Sequence, residues 1–400
     1  MKEVALADLC EVYSGGTPSR SNLDFYRGDI PWAKISDIEK SKNNILTKTE
    51  ESISKEGLRS IRDKIFPAGT LLFAMYGSIG KTVITGIEVS TNQAILGIQV
   101  KNEDEIDLKY LQSWFKQNKQ KLINQGRGVA LKNLSATIVR NLKIPIPENY
   151  DDQVRIAGIL SRTEGLIEKR KKSIRLLDEF LKSTFLEMFG DPVRNEKGWE
   201  RVKIRDLINE AKYGTSKPAR GGQHKYLRMN NITNEGYWDF TSLKYIDMDN
   251  SEIKKYSLQK NDLVFNRTNS KELVGKTAVY NYTEEIVIAG YLIRVRTKLG
   301  ISPWYIWGYL NSKAGKLRLF NLCRNIVGMA NINAQELQDI PILKPPKELQ
   351  NQFASIVEKV EAIKAKYQVS LEELEGLYGS LSQRAYKGEL DLSRVKFRID

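Results

Sequence analysis

Apolar residues recur along two stretches of this chain with a spacing that suits a long helix packed against another. From Ile156 the positions Leu160, Thr163, Ile167, Arg170, Ile174, Leu177, Leu181, Thr184 and Met188 follow in steps of four and three without a break. The same steps run through Phe353, Val357, Val360, Lys364, Tyr367, Leu371, Leu374, Tyr378, Leu381 and Ala385. Alternating steps of four and three make a coiled-coil seam, sustained here over 33 residues in each copy. Each helix is longer than either flanking block could cover, so the pattern predicts that the two pair with one another. Ile159, Leu166 and Phe180 broaden the first stripe, which predicts packing beyond the partner helix.

The blocks before each seam read differently. Short β-branched and aromatic runs at 70–75, 81–85 and 286–295 alternate with turn residues and predict strands. Segments 108–124 and 304–321 have helical spacing. Each block leaves through prolines, Pro145 and Pro147 in one and Pro341, Pro345 and Pro346 in the other, where a preceding element cannot continue.

The chain is written twice. Leu6-Ala7-Asp8-Leu9 followed by Gly15-Gly16-Thr17-Pro18 matches Ile204-Arg205-Asp206-Leu207 followed by Tyr213-Gly214-Thr215-Ser216. The run from Pro67 to Phe73 matches that from Gln259 to Phe265, and Gly80-Lys81-Thr82-Val83 matches Gly275-Lys276-Thr277-Ala278. Asn133-Leu134-Ser135-Ala136 and Leu142 match Asn331-Ile332-Asn333-Ala334 and Ile340, then Pro147 and Gln153 match Pro345 and Gln350. Order is kept throughout. One long helix after each of two direct repeats lets the helices lie antiparallel about a pseudo-two-fold axis.

Charge follows the same division. Residues 1–147 carry 21 Lys and Arg against 16 Asp and Glu, and residues 190–346 carry 25 against 16. Residues 148–189, with 8 of each sign, and 347–400, with 9 of each, are neutral. The whole excess of +14 therefore lies in the two globular blocks. A basic excess confined to particular modules is the footprint of a binder of phosphate backbones.

Much other chemistry is excluded. Two distant cysteines, Cys10 and Cys323, and one histidine, His224 in a Gly-rich loop, make neither a zinc site nor a disulfide framework. Nor does a nucleophile elbow surround His224. The only Pro-Pro, Lys344-Pro345-Pro346-Lys347, has the wrong neighbours for an adenine methyltransferase. Gly80-Lys81-Thr82 and Gly275-Lys276-Thr277 lack the earlier glycine of a P-loop, since Met75 and Ser270 stand there. Asp239 with Glu252-Ile253-Lys254 is the best candidate for a metal-dependent nuclease, and the first copy has no equivalent. A coiled-coil scaffold with basic lobes and no sequence preference is the other alternative. No catalytic residue, cofactor or metal is expected. The apolar runs are too short to span a bilayer and no signal-peptide pattern opens the chain, so no membrane partner and a cytoplasmic location are expected.

Two variable basic globules alternating with two repeated helices resemble the specificity subunit of a type I restriction–modification enzyme. The match rests on Gly15-Gly16-Thr17-Pro18-Ser19-Arg20, on Ile144-Pro145-Ile146-Pro147, on Gln153-Val154-Arg155-Ile156 and on their second-copy equivalents, and it covers the whole chain. The second copy departs at Ile342-Leu343-Lys344-Pro345-Pro346 and carries Lys364 and Tyr367 in its seam. The resemblance implies an α+β fold: two similar mixed α/β target-recognition domains, 1–147 and 190–346, with antiparallel coiled-coil spacer helices in 148–189 and 347–400. It also implies that each domain reads half of a bipartite, asymmetric site in double-stranded DNA. The helices would set the spacing and dock two modification (methyltransferase) subunits, with restriction (translocase and nuclease) subunits joining.

Base readout needs polar and basic side chains on exposed loops. The expected DNA-binding residues of the first domain are Thr17, Ser19, Arg20, Lys34, Tyr76, Ser78, Lys81, Arg127 and Lys132. Those of the second are Tyr213, Thr215, Lys217, Arg228, Asn230, Asn266, Arg267, Thr268, Asn269, Lys276 and Arg324. The run Asn266-Arg267-Thr268-Asn269-Ser270 is the sharpest signal, five hydrogen-bonding side chains following an apolar strand.

The seam also makes a measurable ruler. At 1.5 Å per residue it is about 50 Å long, enough to separate two readers by more than one DNA turn. Inserting one heptad into each helix, after Ile174 and after Leu371, keeps the register and adds about 10 Å, or about 3 bp. The preferred spacer should lengthen by a few base pairs with both half-site sequences unchanged. An unchanged spacer in a folded, binding variant would mean that the helices do not set the distance.

Overall fold

The computed structural model describes residues 1–41, 44–125, 134–326 and 329–393. Two compact units form, one from Met1–Arg170 with the segment from Ser370 onward, the other from Lys171–Val369. The long helices Tyr150–Phe189 and Lys347–Lys387 each contribute a part to both units.

In the first unit a five-stranded sheet runs in the order Cys10–Ser14, Ile95–Val100, Leu71–Ala74, Thr82–Thr85, Ile45–Leu46. Leu71–Ala74 is buried at every residue, which explains its unbroken apolar run: Leu71 and Phe73 face one core, Leu72 and Ala74 another. A smaller sheet joins Ile30–Ala33 to Glu51–Ile53 and Ser90–Thr91. The strand Lys2–Ala5 pairs antiparallel with Lys143–Ile146, so the globule's entry and exit close on each other.

The second unit repeats this plan with Ile208–Tyr213, Leu292–Thr297, Asp262–Asn266 and Thr277–Tyr280 in order, and with Glu200–Lys203 pairing with Pro341–Lys344. It also has a three-stranded sheet of Thr268–Asn269, Met329–Asn331 and Arg324–Ile326. Three expectations are corrected here. The run 286–295 is two strands in different sheets, Val287–Ile288 and Leu292–Thr297. The helical stretches are each broken in two, at Asn118 and at Ser312, whose hydroxyl caps Lys313–Leu322 by accepting from Gly315 N–H at 3.0 Å. His224 opens the strand His224–Leu227 rather than lying in a loop.

The repeats also slip by one residue where sequence matching hides it. Cys10 lies opposite Val100, as Ile208 lies opposite Thr297, but Ser14 opposite Leu96 corresponds to Tyr213 opposite Ile293. The register shift between Ile208 and Glu210 is the cause, one extra residue bulging from the second copy's strand. Gly214 is therefore the counterpart of Gly15 rather than Gly16. Both press on the backbone opposite: a Cβ would come 2.3 Å from Thr91 O at Gly15, and 2.2 Å from Ile288 O at Gly214. Thr215 stands where the first copy has Gly16.

The helices run antiparallel in each unit. In the second, Phe189 meets Phe353 with ring centroids 5.5 Å apart, while Asp178 bonds Lys364 at 2.7 Å. In the first, Ala385 packs in one core with Ile156 and Ala157, while Tyr378 donates to Glu164 at 2.8 Å. Every seam position named above is buried or half-buried. Gln153 and Gln350 hold equivalent posts. Each is buried and accepts the N–H of the residue capping the neighbouring helix, Asp107 at 2.9 Å and Ser302 at 3.0 Å.

Lys364, a cation in an apolar seam, is accommodated by three partners. Its Nζ lies 2.7 Å from Asp178 Oδ1, 3.1 Å from Glu361 Oε1 and 3.2 Å from the Tyr237 ring centroid. Burial holds the Glu361 carboxyl above its usual range despite the ammonium. Such a group favours the folded state in acid and loses that advantage as pH rises through its folded value. Lys364→Ala, which strands both carboxylates, should cost about 3 kcal/mol or more in urea unfolding. The deficit should be larger at pH 8 than at pH 5, and Asp178→Ala added to it should recover part.

Candidate nucleic-acid interface

Three of the expected loops of the second unit converge. Arg267 leaves the buried strand Asp262–Asn266, and its guanidinium carbon lies 4.7 Å from the centroid of the Tyr213 ring. The Tyr213 hydroxyl is fixed in turn by the Ala334 N–H at 2.9 Å. Arg267 N–H donates to Tyr291 O at 3.0 Å, and its carbonyl accepts from Ile332 N–H at 2.9 Å. Thr268 and Asn269 pair with Asn331 and Ala330, which pair with Arg324 and Asn325. Tyr213, Arg267 and the backbone of the strand Arg324–Ile326 are thus joined in one place, with Tyr291 and Met329 about half exposed beside them; the Arg324 side chain lies outside the described residues.

Four residues expected to read bases are instead buried. Thr215 is buried, its hydroxyl accepting from Lys217 N–H at 3.1 Å, because the bulge puts it one place inward of Thr17's position. Asn266 ends the apolar strand inside the core, and Thr268 is buried beyond it. Lys276 is buried with Nζ donating to Met229 O at 2.9 Å and Ile232 O at 2.5 Å, and desolvation lowers its pKa. It fastens the Met229–Asn231 turn from within the core. Arg228 is half-buried, donating to Ser242 O at 2.9 Å. Lys217 pairs with Glu252 at 2.6 Å, and Asn230 is exposed. Asn269 is half-buried, its side-chain oxygen accepting from Ser270 N–H at 2.9 Å.

The first unit gathers Thr17, Arg20 and Lys34 in a different electrostatic setting. Arg20 lies over Tyr26, 4.1 Å from the centroid, with Trp32 at 5.3 Å, but Glu51 bonds it at 2.8 Å. The same carboxylate takes Lys34 at 2.6 Å, and Lys34 first, then Arg20, hold it below the usual range. Thr17 donates to Gln93, and Ser19 shares a hydrogen bond with Ser21 at 2.7 Å. Ser78 and Lys81 meet Glu39, by its carboxylate and its carbonyl, while Tyr76 packs against the core. Arg127 and Lys132 lie outside the described residues.

Glu51, Gln93 and Tyr291 are the residues that sequence reading missed. Adjacent Glu50 and Glu51 in a basic block were the available signal for the first. The others sit in the turns preceding Ile95–Val100 and Leu292–Thr297, a duplicated place with unlike residues. The nuclease candidates are otherwise engaged: Asp239 accepts from Thr241, and Glu252 pairs with Lys217. Among the described residues no group of three or more His, Cys, Asp and Glu could hold a metal ion, and no helix is long and apolar enough to cross a membrane.

Comparison with known proteins follows the same outline. The family model for the type I restriction modification DNA specificity domain matches residues 1–176 and 196–374. The specificity subunit of the type I restriction enzyme MjaIX of Methanocaldococcus jannaschii is 28% identical over 232 residues, covering 54% of this chain and 53% of its own. That of EcoKI from Escherichia coli K12 is 22% identical over 293 residues, covering 68% and 63%. That of StySPI from Salmonella potsdam is 22% identical over 399 residues, covering 92% and 84%. The chain thus spans between half and two thirds of the length of the first two. In fold it is similar to the crystal structure of a type I restriction–modification S subunit from M. genitalium, with a TM-score of 0.56 at 14% identity, covering 96% of this chain and 95% of that one. A structure described for the complex assembly and conformational transition of a type I system gives 0.53 at 17% identity, covering 97% and 98%.

Two substitutions separate fold from contact. Lys276→Ala leaves two carbonyls without their donor and should cost about 1–3 kcal/mol on unfolding, with sequence preference in competition binding unchanged. Glu51→Gln releases Arg20 and Lys34 from their shared carboxylate and should raise affinity for duplex DNA at fixed salt. A drop in affinity would mean that Glu51 itself makes the contact.

Proposed function

This chain belongs to the type I restriction–modification DNA specificity family, and we propose that it reads a bipartite, asymmetric site in double-stranded DNA without catalysing a reaction itself. The observation that carries the reading is a single framework used twice with unlike surfaces. Gln153 and Gln350 clip the two long helices in the same way, and Tyr110 and Tyr305 both donate to the exit strand, at Pro145 O and Leu343 O. The exposed loops differ: an arginine neutralised by Glu51 in one unit, and an arginine on Tyr213 in the other. A repeated framework supports two recognition events of one kind, and unlike loops support two different sequences. The unequal basic excess, +5 in residues 1–147 and +9 in residues 190–346, supports a phosphate-backbone contribution from both.

The helices dock the modification subunits in this reading. Leu166 and Phe180, which broaden the first seam, are 52% and 50% exposed. Their counterparts 197 positions on, Ile363 and Leu377, are 41% and 49% exposed. All four stand immediately before a seam residue, one place off the stripe that the helices bury in each other. Apolar positions exposed at the same heptad place in both repeats suit two copies of one partner. Restriction subunits would join that assembly.

Selecting bound duplexes from random DNA tests the reading. Two unlike conserved segments separated by unread base pairs are expected, with affinity falling linearly on a log–log plot against salt. Affinity without a sequence optimum would favour a non-specific scaffold. Cleavage or methylation by the pure chain, with magnesium and S-adenosylmethionine supplied, would overturn the non-catalytic assignment.

A further inference from the structure

We propose that Arg267 selects a guanine, making the Tyr213–Arg267 pair the base-specificity determinant of the second unit; this rests on the reading that the chain recognises duplex DNA. Other arginines of the second unit are committed to the fold. Arg294 is buried with Glu210 at 2.6 Å, Arg296 holds Asp262 at 2.9 Å, and Arg228 is spent on a carbonyl. Arg267 is different. Among the described residues it forms neither an ion pair nor a side-chain hydrogen bond, and its Nε, like that of Arg228, is buried without a hydrogen-bond partner. What holds it is the Tyr213 ring beneath the guanidinium, together with backbone bonds on both of its sides. Tyr213 is itself tethered through its hydroxyl to the Ala334 N–H.

The guanidinium is therefore oriented before any ligand arrives, and the side-chain entropy that a free arginine would lose on binding is already reduced. With Nε enclosed, recognition falls to the terminal pair of N–H groups, a fork of two parallel donors. Guanine alone presents two acceptors, O6 and N7, on its major-groove edge. Adenine offers one acceptor beside a donor, thymine one beside a methyl group, and cytosine a donor. A fork without an acceptor of its own fits the first and leaves a donor unmatched on the others. Arg20 in the first unit shows the contrast. It too lies on aromatic rings, but it is ion-paired with Glu51. The base assignment therefore applies to the second unit only.

The test uses the full chain and the site that it selects. Each guanine in turn is replaced by 7-deazaguanine, which deletes the N7 acceptor and keeps Watson–Crick pairing. One guanine, in one half-site, should cost the unsubstituted protein roughly tenfold to a hundredfold in affinity when so replaced. Arg267→Ala should bind guanine and 7-deazaguanine there equally, accept other bases at that pair, and keep its preference in the other half-site. Arg267→Lys keeps the charge without the fork and should relax the same pair. Tyr213→Leu leaves the arginine but removes its platform, and should weaken discrimination at that pair only. It serves as the second probe should Arg267→Ala melt early. If Arg267→Ala instead loses affinity uniformly, with the salt slope shallower by about one, the residue contacts phosphate and the proposal fails. It fails equally if no 7-deazaguanine substitution distinguishes the variants from the parent while the parent still selects a sequence. A parent that selects no sequence at all overturns the functional reading, and this inference with it.

Discussion

A long amphipathic helix cannot bury its own stripe, and the rest of this molecule is arranged around that fact. Tyr150–Phe189 and Lys347–Lys387 cover each other's seams, and each globule packs on both. In the second unit Phe185 touches Phe353 and Tyr305, joining two helices and a globule in one aromatic cluster. In the first, the Tyr386 ring lies tilted against that of Tyr110, centroids 5.2 Å apart, and its hydroxyl donates to the Tyr110 carbonyl at 3.2 Å. Even the charged exception obeys the constraint. Lys364 stays in the seam because two carboxylates and a ring replace the water it gives up.

The seams were legible in the sequence because heptad periodicity is local and survives any tertiary arrangement. The duplicated globules were legible for a related reason: strands buried on both faces, such as Leu71–Ala74 and Asp262–Asn266, leave unbroken apolar runs. What sequence could not supply was register. A bulge at Asn209 costs one residue and no recognisable motif, yet it moves Thr215 from a surface place into the core. Polarity misled in the same way at Asn266, Thr268 and Lys276. A polar residue at the end of an apolar strand reads as exposed, whereas here a lysine amine replaces its water with the carbonyls of Met229 and Ile232. Arg267 reads as a candidate because it lies where the buried strand ends and the surface begins.

The two globules also handle their cations differently. In the first, Glu39, Glu50 and Glu51 stand among the basic residues, with Lys34 and Lys40 both reaching Glu50. Carboxylates so placed lower the local field and narrow what the surface attracts. In the second, two arginine pairs lie within the sheet, Arg294 with Glu210 and Arg296 with Asp262, and they stiffen it, while Lys217 is paired with Glu252 on its loop. The same framework therefore carries one candidate surface whose arginine is paired with an acid and one whose arginine, Arg267, is not.

The division of the helices between units sets an order of events during synthesis. The second unit, Lys171–Val369, is continuous in the chain and has all of its parts as soon as residue 369 leaves the ribosome. The first, although its globule is made earliest, still lacks Tyr378, Ser382, Ala385 and Tyr386, the residues that meet Glu164, Gln117, Ile156 and Tyr110. At 5–20 residues per second, roughly 10–40 s pass between Arg170 and the arrival of its covering segment. Until then Glu164, Gln117, Ile156 and Tyr110 lack the cover that the later segment gives them. The globule synthesised first is thus the one completed last.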